Sequence, residues 1–117
     1  GFMMTGQELA TAVQYDLPIV VLVINNGMYG TIRMHQEREY PGRISGTALR
    51  NPDFAALARA YGAHGECVTT TAEFEPALER TFASAKPAVI ESRIDPEAIT
   101  PRATLWGIRA EALKAKR

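Results

Sequence analysis

The fold of this chain is predicted from residues 19–30, whose sequence is IVVLVINNGMYG. The first six residues are apolar and mostly β-branched, which is typical of a strand buried on both faces inside a parallel sheet. The run ends abruptly at Asn25, Asn26 and Gly27, where the chain has to turn. In open α/β sheets, ligands bind just beyond the carboxyl ends of such strands. We therefore expect the functional site at the end of this strand.

Helical and strand-like patterns alternate on both sides of this stretch. Residues 5–8, TGQE, have the form of a capping box and predict a helix that reaches about residue 15. After the strand, the pattern predicts a polar helix to residue 39, a loop over 40–47 and a helix begun by Asn51 and Pro52 and ended by Gly62. A short strand over 63–68 follows, and then a helix capped by Thr70 or Thr71, whose start Pro76 delays or bends. The last predicted elements are a strand over 88–94, an irregular tail to Pro101 and a closing helix over 103–116. This order predicts an α/β fold, a doubly wound, mainly parallel sheet with helices on both faces.

Composition is that of an ordinary globular protein and narrows the classes of function. The 117 residues suffice for one domain, predicted as 1–117 with a tail and closing helix over 96–117. Because the number of Lys and Arg residues equals the number of Asp and Glu residues, the net charge gives no support for nucleic-acid or membrane-surface binding. The single cysteine, Cys67, suits a reducing, cytoplasmic compartment. No stretch has transmembrane length, and the start at Gly1 without an initiator methionine leads us to expect a fragment whose first strand is missing.

The residues at the end of the strand suggest a metal-assisted phosphate site. An asparagine oxygen and a main-chain carbonyl in the following turn are hard ligands suited to Mg²⁺, which also binds phosphate oxygens and water. Free N–H groups at the start of the next helix could contact the phosphate directly. The sequence Asn-Asn-Gly is also an ordinary turn, and the spacing alone favours this simpler interpretation.

A longer set of matches extends over residues 1–95. It comprises FMMT followed by Glu8, LP before the strand, the asparagine pair, Gly30, and NPDF followed by Gly62. On these residues the chain resembles the C-terminal cofactor-binding domain of thiamine-diphosphate-dependent enzymes, in the acetolactate synthase-like group. The family motif is G-D-G, followed along the chain by a strand that ends in two asparagines. The resemblance implies that the cofactors are thiamine diphosphate and Mg²⁺.

The resemblance also implies which residues bind these cofactors. Asn26, the second asparagine of the pair, resembles a Mg²⁺ ligand of the family, and the main-chain oxygen of Met28 resembles another. The two residues that follow Met28 fall where main-chain groups approach the diphosphate. The implied cofactor-binding residues are Gly1, Phe2, Asn26, Met28, Tyr29 and Gly30.

Two parts of the family's site have no counterpart in the sequence. The aspartate of G-D-G, the family's first metal ligand, would fall just before Gly1. The glutamate that activates the aminopyrimidine ring comes in this family from an N-terminal domain, usually of a neighbouring subunit, whereas Glu8 is predicted to be a capping residue. We therefore expect no catalytic residue in this chain, partners in its own N-terminal domains and a second subunit, and a fragment that is inactive alone.

Residues 31–47 resemble the region that covers the active site in the acetolactate synthase group. The resulting candidates for the substrate side are Arg33, His35, Gln36 and Arg43. Each of these residue types is more often an ordinary surface residue. His64 and Cys67 lie far along the chain from the motif, and a structural histidine and a buried thiol are the simpler interpretations.

The leading hypothesis is the cofactor-binding part of a homo-oligomeric enzyme that acts on 2-oxo acids. As a transferase or lyase, it would perform acetolactate synthase-like carboligation or decarboxylation, with no nucleic-acid or membrane partner. The alternative is a non-catalytic α/β module that keeps the fold for subunit contact, and the missing aspartate motivates it. A nucleotide-binding Rossmann domain is disfavoured, because no G-x-G-x-x-G follows a strand.

Overall fold

The computed structural model describes residues 1–116, which form two compact units. The first unit comprises residues 1–25 and 51–93, and the second comprises residues 26–50 and 94–116. The elements in chain order are α1 (Phe2–Thr5), a 3-10 turn (Gly6–Glu8), α2 (Leu9–Gln14), β1 (Val20–Asn25), α3 (Gly30–Glu39), α4 (Phe54–Ala60), β2 (His64–Val68), α5 (Thr71–Ser84), β3 (Ala88–Arg93), β4 (Ala98–Thr100), β5 (Ala103–Thr104) and α6 (Leu105–Ala115).

The first unit is built on a parallel sheet with the strand order β1-β3-β2. On one face, Val23 and Val89 pack in a buried cluster with Phe54 of α4. On the other face, Ile90 packs with Ala77 of α5. Because parallel strands need crossover connections, helices come to cover both faces of such a sheet. The predicted α/β fold with a parallel sheet and helices on both faces is therefore confirmed.

The prediction that the first strand is buried on both faces is wrong. β1 pairs only with β3 among the described residues and therefore lies at an edge of the sheet. Leu22 and Ile24 are 50% and 60% exposed, and Val23 is the buried residue of the strand. The central strand is β3, whose first four residues, 88–91, are buried. An apolar run indicates that its side chains prefer burial, but it does not identify which strand lies at the centre of the sheet.

Two predicted helix starts differ from those in the structure. Helical structure already begins at Phe2, and the Thr5 side chain makes no capping bond. The Glu8 carboxylate instead accepts the hydroxyl of Thr11 at 3.4 Å. The cap of α4 is Asp53 rather than Asn51, since Asp53 Oδ1 accepts the N–H of Ala56 at 2.8 Å. In both cases several polar residues near the start can serve as the cap, and the sequence does not choose among them.

Later elements agree with the sequence in position and differ in detail. Thr70 and Glu73 form the capping box of α5, which confirms one of the two predicted caps. α5 begins at Thr71 and runs through Pro76, so the expected late start is wrong, while a bend at Pro76 stays a prediction. The tail predicted as irregular to Pro101 contains β4. β5 takes the first two residues of the predicted closing helix, so α6 begins at Leu105 rather than at residue 103.

The second unit contains α3, the β4–β5 hairpin and α6, and α3 packs against α6. α3 is polar on most sides, and its buried residue is Glu37 rather than an apolar one. Glu37 accepts hydrogen bonds from Arg33, four residues earlier on the same helix, and from Arg109 of α6. A buried ion-pair network therefore joins α3 to α6, beside the buried Leu105 of α6. None of the helices within residues 1–116 combines the length and apolar character needed to cross a membrane.

Candidate cofactor site

Residues 26–30 lead from the end of β1 to the start of α3 and contain four of the six predicted cofactor-binding residues. The Oδ1 atom of Asn26 accepts the N–H of Met28 at 3.2 Å, which forms a tight side-chain-to-backbone turn. Gly27 has φ +69°, in the left-handed region that glycine adopts without strain. The turn is therefore fixed by its own residues before any ligand is considered.

Met28 is also held by an antiparallel bridge to Ala48. Tyr29 donates its N–H to the Thr47 carbonyl at 2.9 Å, and Leu49 donates its N–H to the Gly27 carbonyl at 2.8 Å. Both hydrogen bonds of this bridge are made by the chain neighbours of Met28 and Ala48, not by Met28 and Ala48 themselves. In such a bridge, the N–H and C=O of Met28 point away from Ala48. Since that N–H donates to Asn26 Oδ1, the Met28 carbonyl and the Asn26 side-chain oxygen lie on the same side of the segment.

The first turn of α3 follows directly. Tyr29 occupies the N-cap position and its side chain makes no capping hydrogen bond. The first N–H groups of a helix have no partner within the helix and form a favourable site for an anion such as a phosphate. At Gly30, an added Cβ would lie 2.7 Å from the Nδ2 atom of Asn26. A side chain at residue 30 would therefore push the Asn26 amide out of its place.

This donor set fits Mg²⁺ and a diphosphate. Amide and main-chain oxygens are hard ligands that Mg²⁺ accepts, with phosphate oxygens and water completing its shell. Residues 1–116 contain no cluster of three His, Cys, Asp or Glu side chains that could hold a metal in another way. Within the part of the chain that the structure describes, the oxygens of Asn26 and Met28 are the groups at this turn that fit a metal.

The neighbouring residue Asn25 is engaged within the first unit. Its Nδ2 atom donates to Oε1 of Glu91 at 2.7 Å, and its Oδ1 atom accepts from Nδ2 of Asn51 at 2.8 Å. Glu91 is fully buried and also accepts the N–H of Phe54 at 3.3 Å and the Nε–H of Arg93 at 3.1 Å. Sequence reasoning missed this network, because its members are spread from residue 25 to residue 93.

The two remaining predicted residues, Gly1 and Phe2, lie in the first unit at the start of α1. The Phe2 ring meets the ring of Phe54 edge to face, with centroids 5.6 Å apart. The Gly1 carbonyl accepts the N–H of Met4 at 2.9 Å. The Phe2 side chain thus belongs to the core of the first unit, and only main-chain groups at this position are left for a ligand.

The candidates for the substrate side have structural partners or remain exposed. Arg33 forms an ion pair with Glu37 at 2.6 Å and its side chain is only 11% exposed. The guanidinium of Arg43 lies 5.7 Å from the centroid of the Tyr40 ring. The side-chain amide of Gln36 donates to the Ser45 carbonyl in the loop that follows α3. His35 is exposed.

His64 and Cys67 both lie on β2. His64 Nε2 is 3.0 Å from Oε1 of Glu66, which also receives two hydrogen bonds from Arg80. The bond from Arg80, followed by that from His64, lowers the pKa of Glu66. The prediction of a buried thiol is wrong, because Cys67 is exposed. Desolvation by its neighbours, with the charge of Glu91 adding to it, raises the pKa of the Cys67 thiol and keeps it protonated at neutral pH.

The second unit also has an open groove of about 860 Å³ that includes none of residues 26–30. Its lining comes from Arg38, from residues 98–104 and from one side of α6. The predicted cofactor-binding residues therefore form a turn and a helix start rather than part of this groove.

A parallel α/β sheet whose first strand leads into an asparagine pair and a helix start suited to a phosphate is the arrangement expected of a phosphate-binding α/β domain. Residues 1–92 match the family described as thiamine pyrophosphate enzyme, C-terminal TPP binding domain. The chain belongs to this family.

The chain is similar to several known proteins. It is 36% identical over 101 residues to a probable acetolactate synthase of Mycobacterium bovis, which covers 86% of this chain and 18% of that protein. It is 39% identical over 108 residues to a putative thiamine pyrophosphate-containing protein of Bacillus subtilis. This match covers 92% of this chain and 18% of that protein. The solved structure of benzoylformate decarboxylase from Polynucleobacter necessarius superposes with a TM-score of 0.74 at 28% identity, covering 86% of this chain and 19% of that one. The chain thus spans less than a fifth of the length of these relatives.

Proposed function

We propose that this chain supplies the Mg²⁺ and diphosphate side of a thiamine diphosphate site in an enzyme that acts on 2-oxo acids. The observation that carries the proposal is the arrangement of residues 26–30. The Asn26 side-chain oxygen and the Met28 carbonyl lie on the same side of the segment, directly before the uncapped start of α3. Membership of the family supports the choice of thiamine diphosphate as the ligand.

Each residue has a limited task in this proposal. Asn26 and the main-chain oxygen of Met28 bind Mg²⁺, while the main-chain groups of Tyr29 and Gly30 orient the diphosphate. Gly1 would contribute main-chain contacts to the diphosphate as well. When bound, thiamine diphosphate supplies the nucleophilic carbon and the electron sink for chemistry next to a carbonyl. No residue of this chain is assigned a proton-transfer step.

The reaction class is proposed from the relatives. Those named above include a probable acetolactate synthase and a benzoylformate decarboxylase, which favours carboligation or decarboxylation of a 2-oxo acid. We propose that the chain is the C-terminal part of a thiamine-diphosphate-binding domain in a longer, homo-oligomeric, cytoplasmic protein and is inactive alone. Its small share of the relatives' length supports this proposal. Sequencing the gene upstream of the codon for Gly1 tests it, and absence of an encoded G-D-G segment would favour the non-catalytic module instead.

The metal-binding role is tested by Asn26→Ala in the whole protein. Isothermal titration calorimetry would measure thiamine diphosphate binding with and without Mg²⁺. Because a Mg²⁺ ligand is lost, we expect Mg²⁺-dependent affinity to fall by about 100-fold, of the order expected when roughly 2.7 kcal/mol of binding free energy is removed.

The matched control is Gln14→Ala, which removes an exposed side-chain amide at the end of α2 and should leave binding unchanged. Binding by Asn26→Ala equal to that of the wild type would refute the placement of the metal. A wild-type protein that shows no Mg²⁺-dependent binding of thiamine diphosphate would refute the proposed function as a whole.

A further inference from the structure

The segment that contains Met28 is held from one side by residues 47–49. Two main-chain hydrogen bonds join the two segments, from Tyr29 to Thr47 at 2.9 Å and from Leu49 to Gly27 at 2.8 Å. Residues 40–47 carry no helix or strand of their own, and Gly42 and Gly46 both have positive φ. Such a loop loses much conformational entropy when it is fixed, so something outside it has to hold it in register.

Gln36 of α3 provides that support. Its Nε2 atom donates to the Ser45 carbonyl at 2.6 Å, and its Oε1 atom accepts the hydroxyl of Thr47 at 3.3 Å. The N–H of Ser45 also approaches Oε1, at 3.5 Å. Thr47 is 3% exposed and is the residue whose carbonyl receives the N–H of Tyr29. The Gln36 amide therefore contacts the loop at Thr47, the same residue that accepts a hydrogen bond from Tyr29 after the turn.

These contacts form a closed circuit within the second unit. α3 begins at Gly30, directly after the turn, and Gln36 lies six residues further along the same helix. From Gln36 the contacts run to Thr47, from Thr47 to Tyr29, and from Tyr29 along the chain back into α3. Since each link is a hydrogen bond or a covalent connection, loosening one of them loosens the position of Met28.

We propose that Gln36 is a positioning residue of the cofactor site, which acts through Thr47 on the turn that carries Asn26 and Met28. The proposal rests on the proposed function, because it assumes that this turn binds Mg²⁺. It differs from the sequence-based expectation that Gln36 faces the substrate. An amide suits the task because it donates and accepts at once, as the Ser45 carbonyl and the Thr47 hydroxyl require.

The test is Gln36→Met in the whole protein, with saturating thiamine diphosphate. Methionine keeps the length and the helix propensity of glutamine and removes the amide. We expect the apparent dissociation constant for Mg²⁺ to rise about tenfold, the order expected for the loss of hydrogen bonds to a positioned loop. We expect kcat at saturating Mg²⁺ to stay within about twofold of the wild type, because excess metal restores the bound geometry.

Two further variants separate positioning from simple stability. His35→Met makes the same replacement at the exposed neighbouring position on α3 and should leave Mg²⁺ affinity unchanged. Thr47→Val removes only the hydroxyl that donates to Gln36, and its effect on Mg²⁺ affinity should not add to that of Gln36→Met.

The outcomes are distinct. A raised Mg²⁺ dissociation constant for Gln36→Met and Thr47→Val, with a sub-additive double variant, supports the proposal. A lowered melting temperature with Mg²⁺ affinity unchanged in both variants would show that Gln36 only stabilises the loop and would overturn it. Absence of Mg²⁺-dependent binding in the wild type would instead overturn the proposed function on which it rests.

Discussion

Replacing Glu37 by Gln should weaken the attachment of α6 to α3. The Glu37 side chain is 1% exposed and forms ion pairs with Arg33 at 2.6 Å and with Arg109 at 2.5 Å. It also accepts the N–H of Gly42 at 2.9 Å. The hydrogen bond from Arg109, opposed by desolvation and assisted by Gly42 and Arg33, lowers the pKa of Glu37 from 4.5 to about 2.

The size of the effect follows from this change in pKa. Because the pKa of Glu37 is lower in the folded state, its ionisation stabilises the fold at pH values above 4.5, and this stability is lost as the pH falls towards 2. A shift of this size corresponds to about 3 kcal/mol at neutral pH, or an opening equilibrium changed by a factor on the order of 100. At pH 3 most of this contribution is gone, and the expected difference is about tenfold.

Hydrogen–deuterium exchange of α6 in the whole protein measures this effect directly. At pH 7 the amides of Leu105–Ala115 should exchange faster in Glu37→Gln by a factor on the order of 100, after correction for intrinsic rates, and at pH 3 by about tenfold. The control is Glu111→Gln on the same helix, whose pair with Lys114 is exposed and should change exchange by about twofold or less. A difference below threefold at pH 7, or one that does not shrink with acid, would refute the argument.

Two further predictions concern glycines. Gly30→Ala would place a Cβ 2.7 Å from the Asn26 amide and should weaken Mg²⁺-dependent binding of thiamine diphosphate by about tenfold or more, measured by calorimetry; unchanged binding would mean that the amide position does not matter. Gly65→Ala would place a Cβ 2.2 Å from the main-chain oxygen of Ala55 and should lower the free energy of unfolding by about 2 kcal/mol or more in urea denaturation. Gly107→Ala, whose Cβ would have its nearest neighbour at 3.2 Å, serves as the comparison; an equal loss in both variants would contradict the packing argument.

The order of the elements could be predicted because it depends on local patterns. The run of β-branched residues, the Thr70 capping box and the glycine at residue 62 each act within a few positions of the chain. Gly62 indeed has φ +87°, as expected of a glycine that ends a helix. Such signals locate helices and strands without any knowledge of their neighbours.

The features that the sequence did not predict depend on residues far apart along the chain. The edge position of β1 follows from which strand takes the centre, and β3 lies more than 60 residues later. The burial of Glu37 follows from Arg109, its partner 72 residues away. The pairing of residues 27–29 with residues 47–49 likewise has no local signature, so the support of the turn was invisible in the sequence.

The two adjacent asparagines illustrate how the pleat of a strand divides one motif into two roles. Side chains alternate along β1, so Asn25 shares a face with Val23, the face that α4 covers. On that face its amide must be satisfied inside the protein, and Glu91 and Asn51 satisfy it. Asn26 follows the last residue of the strand and uses one lone pair of its oxygen to hold the turn through Met28. Since both Nδ2 and Oδ1 of Asn25 bond to side chains of the first unit, we expect Asn26 rather than Asn25 to be the metal ligand.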